Sequence, residues 1–232
     1  MSSRLSVIVP CWNDAEALQR LLAKVRTIAG LDELIVADAS SDDDARGIAE
    51  AAGAKVARCA RPNRGAQMNA GARLATGDTF LFHHADTELT QPHVSALRAV
   101  DAQTIGGAFH RKYDNRHRGF GWIEPIARAW NVRLGTLYGD QSVFVRRTTF
   151  ERLGGFAEIP LMEDVEFSRR LRRTGRTVLL DPPIATSARH HKRHGPWRTT
   201  ARNAAMLTLF RLGFSPETLH RWYYRGFAGT QR

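Results

Sequence analysis

The run TFLFHHADTEL begins as an apolar strand at Thr79 and ends on two histidines and an acid. His84 and Asp86 stand two apart, so an imidazole and a carboxylate leave the strand on the same side. A divalent cation suits such a pair. Mg2+ prefers oxygen ligands and keeps several waters, and Mn2+ also accepts imidazole. His83 points to the opposite face and suits packing. A second cluster, Glu163-Asp164, opens the helix-like run PLMEDVEFSRRLRRTG. A carboxylate there can take a proton from a reacting hydroxyl, or it can merely complement the helix dipole, a role Glu166 fits. The string ARHHKRHG adds His190, His191 and His194. One of these could reach a cation or a phosphate. A self-contained zinc site would need further ligands at zinc spacing, and none is present.

These residues need a scaffold. LSVIV, residues 5–9, is a continuous apolar run of the kind found in strands covered on both faces. Asn13 followed by Glu16 predicts a helix N-terminus with a capping box, and Leu18, Leu21, Leu22 and Val25 repeat at helical spacing. Residues 33–37 predict a second strand, DASSDDD a polar turn, and residues 45–52 a helix that stops at Gly53. Residues 55–57 predict a third strand. A helix over 66–75 is expected to close on a left-handed cap at Gly77. The histidine-bearing run is the fourth strand. This alternation predicts an α/β fold with a mostly parallel sheet and right-handed crossovers. In such sheets ligands lie outside the carboxyl ends of the strands. Asn13 and Asp14, then Asp38, then His84 and Asp86 all fall on that edge. Each has a plainer role as cap, turn or exit from the core, but their joint placement marks a binding edge.

The second half reads differently. Residues 111–121 are polar and basic and predict a loop, 142–145 a strand, and FERLGGF a short helix stopped by Gly154 and Gly155. The run from Pro160 becomes a basic amphipathic helix ending at Gly175, and 177–180 is a last strand. Residues 197–232 form a basic tail with a helix carrying Ala205, Leu209 and Leu212 near one face.

Composition bounds the partners. At 232 residues, 43% hydrophobic and 25% charged, one well-packed domain is expected and global disorder is excluded. The net charge of +11 points to an anionic partner: nucleic acid, a nucleotide or an acidic membrane surface. Cys11 and Cys59 make neither a disulfide framework nor a zinc site, which suits a reducing compartment. MSSRLSVIVP lacks the apolar region of a signal peptide, and no apolar run reaches the roughly 18 residues that span a bilayer. The expectation is a cytoplasmic protein, with the inner face of the membrane open to it.

Four pieces follow one another along residues 5–181: SVIVPCWND, ELIVADASSDD, RGAQMNAGARLATGDTFLFHHAD and GGF…MEDVEFSRRLRR. No piece is specific alone. The ordered set resembles a family 2 glycosyltransferase with the GT-A fold. The fuller string, with YGDQSVFVRR and TSARHHKRHGPWR, is similar to a bacterial subgroup associated with radical-SAM and selenium-domain proteins. The resemblance implies a GT-A domain over 1–195, divided into a nucleotide-binding half (1–110) and an acceptor half (111–195), and a helical tail over 196–232. It implies transfer of a sugar from a nucleoside diphosphate, UDP by default, to an acceptor hydroxyl by one inverting displacement. Pro10, Asn13, Asp14 and Asp38 would line the nucleotide pocket. Arg64 would meet the diphosphate with the N-terminal amides of its helix. Asn69 and Asp78 match positions near the nucleotide, although Asp78 after Gly77 could equally shape a turn. Many members carry an acidic D-x-D where this chain has His84-Ala85-Asp86. Asp86 would keep the metal, Mn2+ or Mg2+, with His84 supporting it or standing as a neutral substitute. His191 would be a further metal ligand. Asp164 would act as the base with Glu163 orienting, and Asp140 and Gln141 would meet the sugar or acceptor.

Other classes compete. The charge and RHHKRHGPWR would suit a nucleic-acid binder, but the acids on the binding edge would repel a phosphate backbone and no recognition motif is evident; no nucleic acid is expected. A nucleotidyltransferase would need a glycine-rich triphosphate loop, which PCWNDAEA is not. A degenerate transferase that binds without turnover is opposed by intact Asp86, Glu163 and Asp164. In the tail, arginines with Trp222, Tyr223 and Tyr224 could hold an anionic membrane, which would suit a lipid-linked acceptor. The same helix could instead pack on the domain or form a homodimer contact.

Overall fold

A computed structural model describes residues 4–113, 136–186 and 196–228. Its first half follows the predicted rhythm: β1 (Leu5–Cys11), α1 (Ala15–Val25), β2 (Glu33–Asp38), α2 (Ala45–Ala51), β3 (Lys55–Arg58), α3 (Arg64–Leu74) and β4 (Thr79–Phe82). Then come α4 (Gln91–Arg98), β5 (Gly106–Tyr113), a 3-10 turn (Gly139–Gln141), β6 (Val143–Arg146), α5 (Arg147–Arg152), α6 (Glu163–Thr174) and β7 (Thr177–Thr186). Two helices, α7 (Pro196–Arg211) and α8 (Pro216–Ala228), complete the described chain.

Among the described residues, seven strands form one sheet in the order β3-β2-β1-β4-β6-β5-β7. Only β6 runs against the rest. The reversal matters for the site. It brings the residues just before β6 to the edge where β1, β2 and β4 end.

The sheet separates two apolar layers. On β1, Leu5, Val7, Val9 and Cys11 face one cluster with α1, while Ile8 faces the other beneath α3. This alternation is why LSVIV reads as continuously apolar: both faces are dry. Gly71 permits the close seat of α3, since a β-carbon there would collide with Ile8 Cγ2. The second layer is aromatic. Phe80, Phe82, Phe150, Phe156 and Phe167 pack edge-on or tilted against one another.

Several local expectations change. Asn13 does not cap α1. It takes a left-handed φ of 47°, and Asp14 is the N-cap without a side-chain bond. The capping role passes to Asp43 of the next loop, which accepts the Ala15 N–H at 2.8 Å. Helix α3 starts two residues early on Asn63, whose side chain accepts from Ala66 N–H. It ends at an extended Ala75, so no left-handed cap forms at Gly77. Residues 111–113, expected in a loop, belong to β5, and 114–121 lie outside the described residues. β7 runs six residues past its expected end, as the sheet's edge strand. The tail holds two helices because Gly213, with a φ of 93°, and Pro216 interrupt it.

Candidate active site

The first wall of the site lies where β1 and β2 end. Cys11 pairs in register with Asp38, and Asp38 is 3% exposed. Its carboxylate accepts the Ser40 N–H at 2.9 Å and faces Arg46 at 3.8 Å. Asn13 ties the two loops together: its carbonyl accepts the Ser41 N–H, its amide donates to Asp42, and its own N–H donates to Ser40 Oγ. Buried Gln67 reaches up from α3 and donates to both Cys11 O and Ala37 O, at 2.7 and 2.9 Å. Pro10 and Asp14 complete this wall, each partly exposed.

The second wall is a meeting of three segments. Asp164, in the first turn of α6, accepts the Gly139 N–H at 2.8 Å. A β-carbon on Gly139 would stand 3.2 Å from His84 Nε2 and 3.5 Å from Asp164 Oδ2. His84 and Asp164 therefore flank the same piece of backbone. Asp140 follows, ion-paired to Arg111 at 2.8 Å. Arg64, at the start of α3, approaches Glu163 at 3.7 Å and lies in the field of Asp164, Tyr224 and Asp86 as well. Asp86 is exposed two residues beyond His84.

Two atoms here are buried without a hydrogen-bond partner: His84 Nε2 and Asp140 Oδ1. Burial, and then the Arg64 charge, push His84 down to about 4, so it is neutral at pH 7. Burial and the neighbouring Asp164 push Glu163 up to about 7. Burial also raises Asp164, against the N–H groups of Gly139 and Val165 that favour its anion. Raised carboxyls beside a cation, on the ligand edge of a sheet, are the electrostatic signature of a functional site.

Not every expected residue arrives. Asp78 sits at the opposite edge, before β4, where it accepts the Arg4 N–H. Asn69 grips the backbone of Phe156 through both its N–H and its carbonyl, and so fixes the loop beside α3. Gln141 is 1% exposed and bonds Tyr138 N–H and Phe109 O. These three hold the frame. His191 lies outside the described residues. His83 packs inward as expected: Ser142 Oγ lies 2.8 Å from Nδ1, and Nε2 donates to Thr87 O. Conversely, Gly139, Arg111, Gln67 and Tyr224 were not legible as site residues. A glycine or a lone arginine gives no signal until the fold closes around it.

The chemistry of the donor set can be tested against a cation. Among the described residues no group of three His, Cys, Asp or Glu side chains converges as a cage. A neutral buried imidazole with an open Nε2, beside an exposed carboxylate, nonetheless fits a hard cation that takes most of its ligands from phosphate and water.

The comparisons agree with this architecture. A family model described as Glycosyl transferase family 2 matches residues 6–148. No curated protein matches by sequence. Among solved structures, the mannosyltransferase PcManGT from Pyrobaculum calidifontis, in complex with GDP-Man and Mn2+, superposes with a TM-score of 0.69 at 18% identity. The match covers 97% of this chain and 70% of that one. S. aureus TarS with UDP-GlcNAc gives 0.66 at 18% identity, covering 79% and 58%. Glucosyl-3-phosphoglycerate synthase from Mycobacterium tuberculosis, with Mn2+, UDP and glucosyl-3-phosphoglycerate, gives 0.55 at 21% identity, covering 80% and 70%. The chain thus spans little more than half of the TarS chain.

Proposed function

From the premise that the chain belongs to glycosyl transferase family 2, we propose that it moves a sugar from a UDP-linked donor to an acceptor hydroxyl in one inverting displacement. The observation that carries this reading is the meeting of His84 and Asp164 at Gly139, with Asp164 in the field of Arg64, on the carboxyl edge of the sheet.

Each residue has a task. Pro10, Asn13, Asp14 and Asp38 form the wall for base and ribose. Asp38 is the buried acceptor there, and its orientation is set by the Ser40 N–H. Arg64 and the first amides of α3 face the diphosphate as it leaves, where positive charge is worth most. Glu163 steers Arg64. Asp164 accepts the proton of the acceptor hydroxyl as the new bond forms. Its two backbone donors hold the carboxylate in one orientation, which spares reorganisation during the reaction. Asp140, fixed by Arg111, borders the sugar or acceptor side. Asp86 and His84 would hold a divalent cation, Mn2+ or Mg2+, which when bound neutralises charge on the departing diphosphate. A lipid-linked acceptor is supported by the exposed aromatic residues of the tail.

The test is calorimetric titration of UDP, GDP and CDP, with and without Mn2+, into the wild type and Asp86→Ala. One nucleotide should bind in a metal-dependent way, and the variant should lose it. Absence of nucleotide binding under every condition would overturn the reading.

A further inference from the structure

Beside the second wall, on the flank of α6, lies a groove of about 290 Å3. Arg169, Arg172 and Arg173 of α6 line it together with Arg211 at the end of α7, and Val165 and Phe210 are among its apolar lining. Among the described residues, the charged ones that line it are four arginines and no acid. Arg211 is held in place by donating to Thr136 Oγ1 at 3.1 Å. The geometry suits one compact anion that several guanidinium forks can reach together.

What adjoins the groove narrows the source of that anion. The chain leaves Arg211 into the turn between α7 and α8, where Leu212 is 72% and Phe214 42% exposed. Phe214 packs at a tilt against Trp222 of α8, itself 48% exposed, with ring centroids 5.9 Å apart. Exposed apolar and aromatic side chains next to clustered arginines are arranged as at a membrane surface, with rings at headgroup depth and cations on the phosphates. A nucleic-acid backbone would not use the apolar turn, and its repeated phosphates would overrun so small a groove. Among the described residues no helix is long and apolar enough to cross a membrane, so this attachment would be peripheral.

We propose that this groove binds the headgroup phosphate of an anionic phospholipid while Leu212, Phe214 and Trp222 enter the interface. The inference does not depend on the transferase reading.

Vesicle co-sedimentation tests it. Vesicles of phosphatidylcholine, alone or mixed with phosphatidylglycerol, are compared for the wild type, the pair Arg169→Gln with Arg173→Gln, and the pair Arg58→Gln with Arg73→Gln. The second pair removes equal charge from exposed positions around β3, at the far edge of the sheet. Each arginine near an anionic surface contributes about fivefold to partition. The groove pair should therefore weaken binding to the mixed vesicles by about 25-fold, and the distant pair should leave it nearly unchanged. Phe214→Ser should weaken it as well. Equal losses from both pairs would mean that net charge alone acts, and would overturn the groove. Binding of soluble glycerol phosphate that the groove pair abolishes, without vesicle binding, would assign the groove to a free phosphate ester and overturn the lipid. A change of oligomeric state in Phe214→Ser, without loss of vesicle binding, would make the turn a contact between copies and overturn its insertion. UDP titration on the groove pair separates this inference from the donor site, because no groove residue is placed there; the distant pair does not serve for that titration, since Arg58 pairs in register with Asp38. Thermal melting of each variant confirms that it is folded.

Discussion

Glu163 is a carboxyl kept where its charge is unwelcome, 5% exposed and beside Asp164, with Arg64 as its nearest cation. The folded chain holds its proton up to about pH 7, whereas the ordinary value is 4.5. Folding therefore binds protons between these values, and the stability this group contributes falls as pH rises from about 4.5 to 7. Glu163→Gln should match the wild type near pH 4 and exceed it at pH 8, by about 1–2 kcal/mol after allowing for the lost Arg64 contact. Denaturant unfolding at the two pH values checks this, and a variant weaker at both would refute it. Activity should move the opposite way, as is common where a site is held in a strained state. Asp164→Asn is the sharper functional test. If Asp164 is the proposed base, its loss should lower kcat by about 10²–10⁴ while UDP affinity, measured calorimetrically, stays within a few-fold. A variant that loses nucleotide binding instead would make Asp164 a donor-site residue.

At their other edge one carboxylate ties three strands and the approach to a fourth. Glu33, in β2, accepts from Ser6 of β1, Lys55 of β3 and the Thr76 N–H that precedes β4. Burial alone would raise its pKa, but these donors together bring it down to about 2. Glu33→Gln should cost about 2 kcal/mol at pH 7. Since the folded value is the lower one, that contribution is present above about pH 4.5 and lost as pH falls towards 2. The gap between wild type and variant in unfolding should thus be smaller at pH 3 than at pH 7, and a gap that widens in acid would contradict this account. The elements around this edge were the legible ones. β1, α1, β2 and α2 carry their period and their stops within a few residues, so local pattern sufficed. β5 did not, because its last residues, 111–113, read as the start of a basic loop until β7 pairs with them. The site divides along the same line. Asp38, Asp86 and Asp164 could be named because each ends an apolar run or opens a helix. Gly139 could not, because only the antiparallel entry of β6 brings it to the edge, and Arg111 could not, because it lies near the end of β5, where the sequence reads as a loop.

At the scale of the whole molecule, one sheet carries both walls of the site, and the tail is added to it. Among the described residues, neither core cluster includes a residue of α7 or α8. Yet Leu219 of α8 is fully buried, Arg202 of α7 lies over the Tyr223 ring at 4.0 Å, and Tyr224 enters the field of Arg64 and Glu163. An element that shares no core cluster with the sheet can open without it, at a free energy below that of global unfolding. Leu219→Ala should remove about 2–5 kcal/mol from the seat of α8 while leaving the sheet nearly as stable as before. Hydrogen exchange resolves the two levels: amides of α8 should exchange faster by the corresponding factor, and those of β1, β2 and β4 should keep their protection. If strands and tail lose protection together, the tail belongs to the same cooperative unit. If α8 alone responds, it is a cover that can part from the site, and the sheet beneath must still bind nucleotide with the tail displaced. Titration of UDP into the same variant tests that consequence directly. Retained affinity with a raised KM for the acceptor would assign α8 and its Tyr224 to the acceptor side.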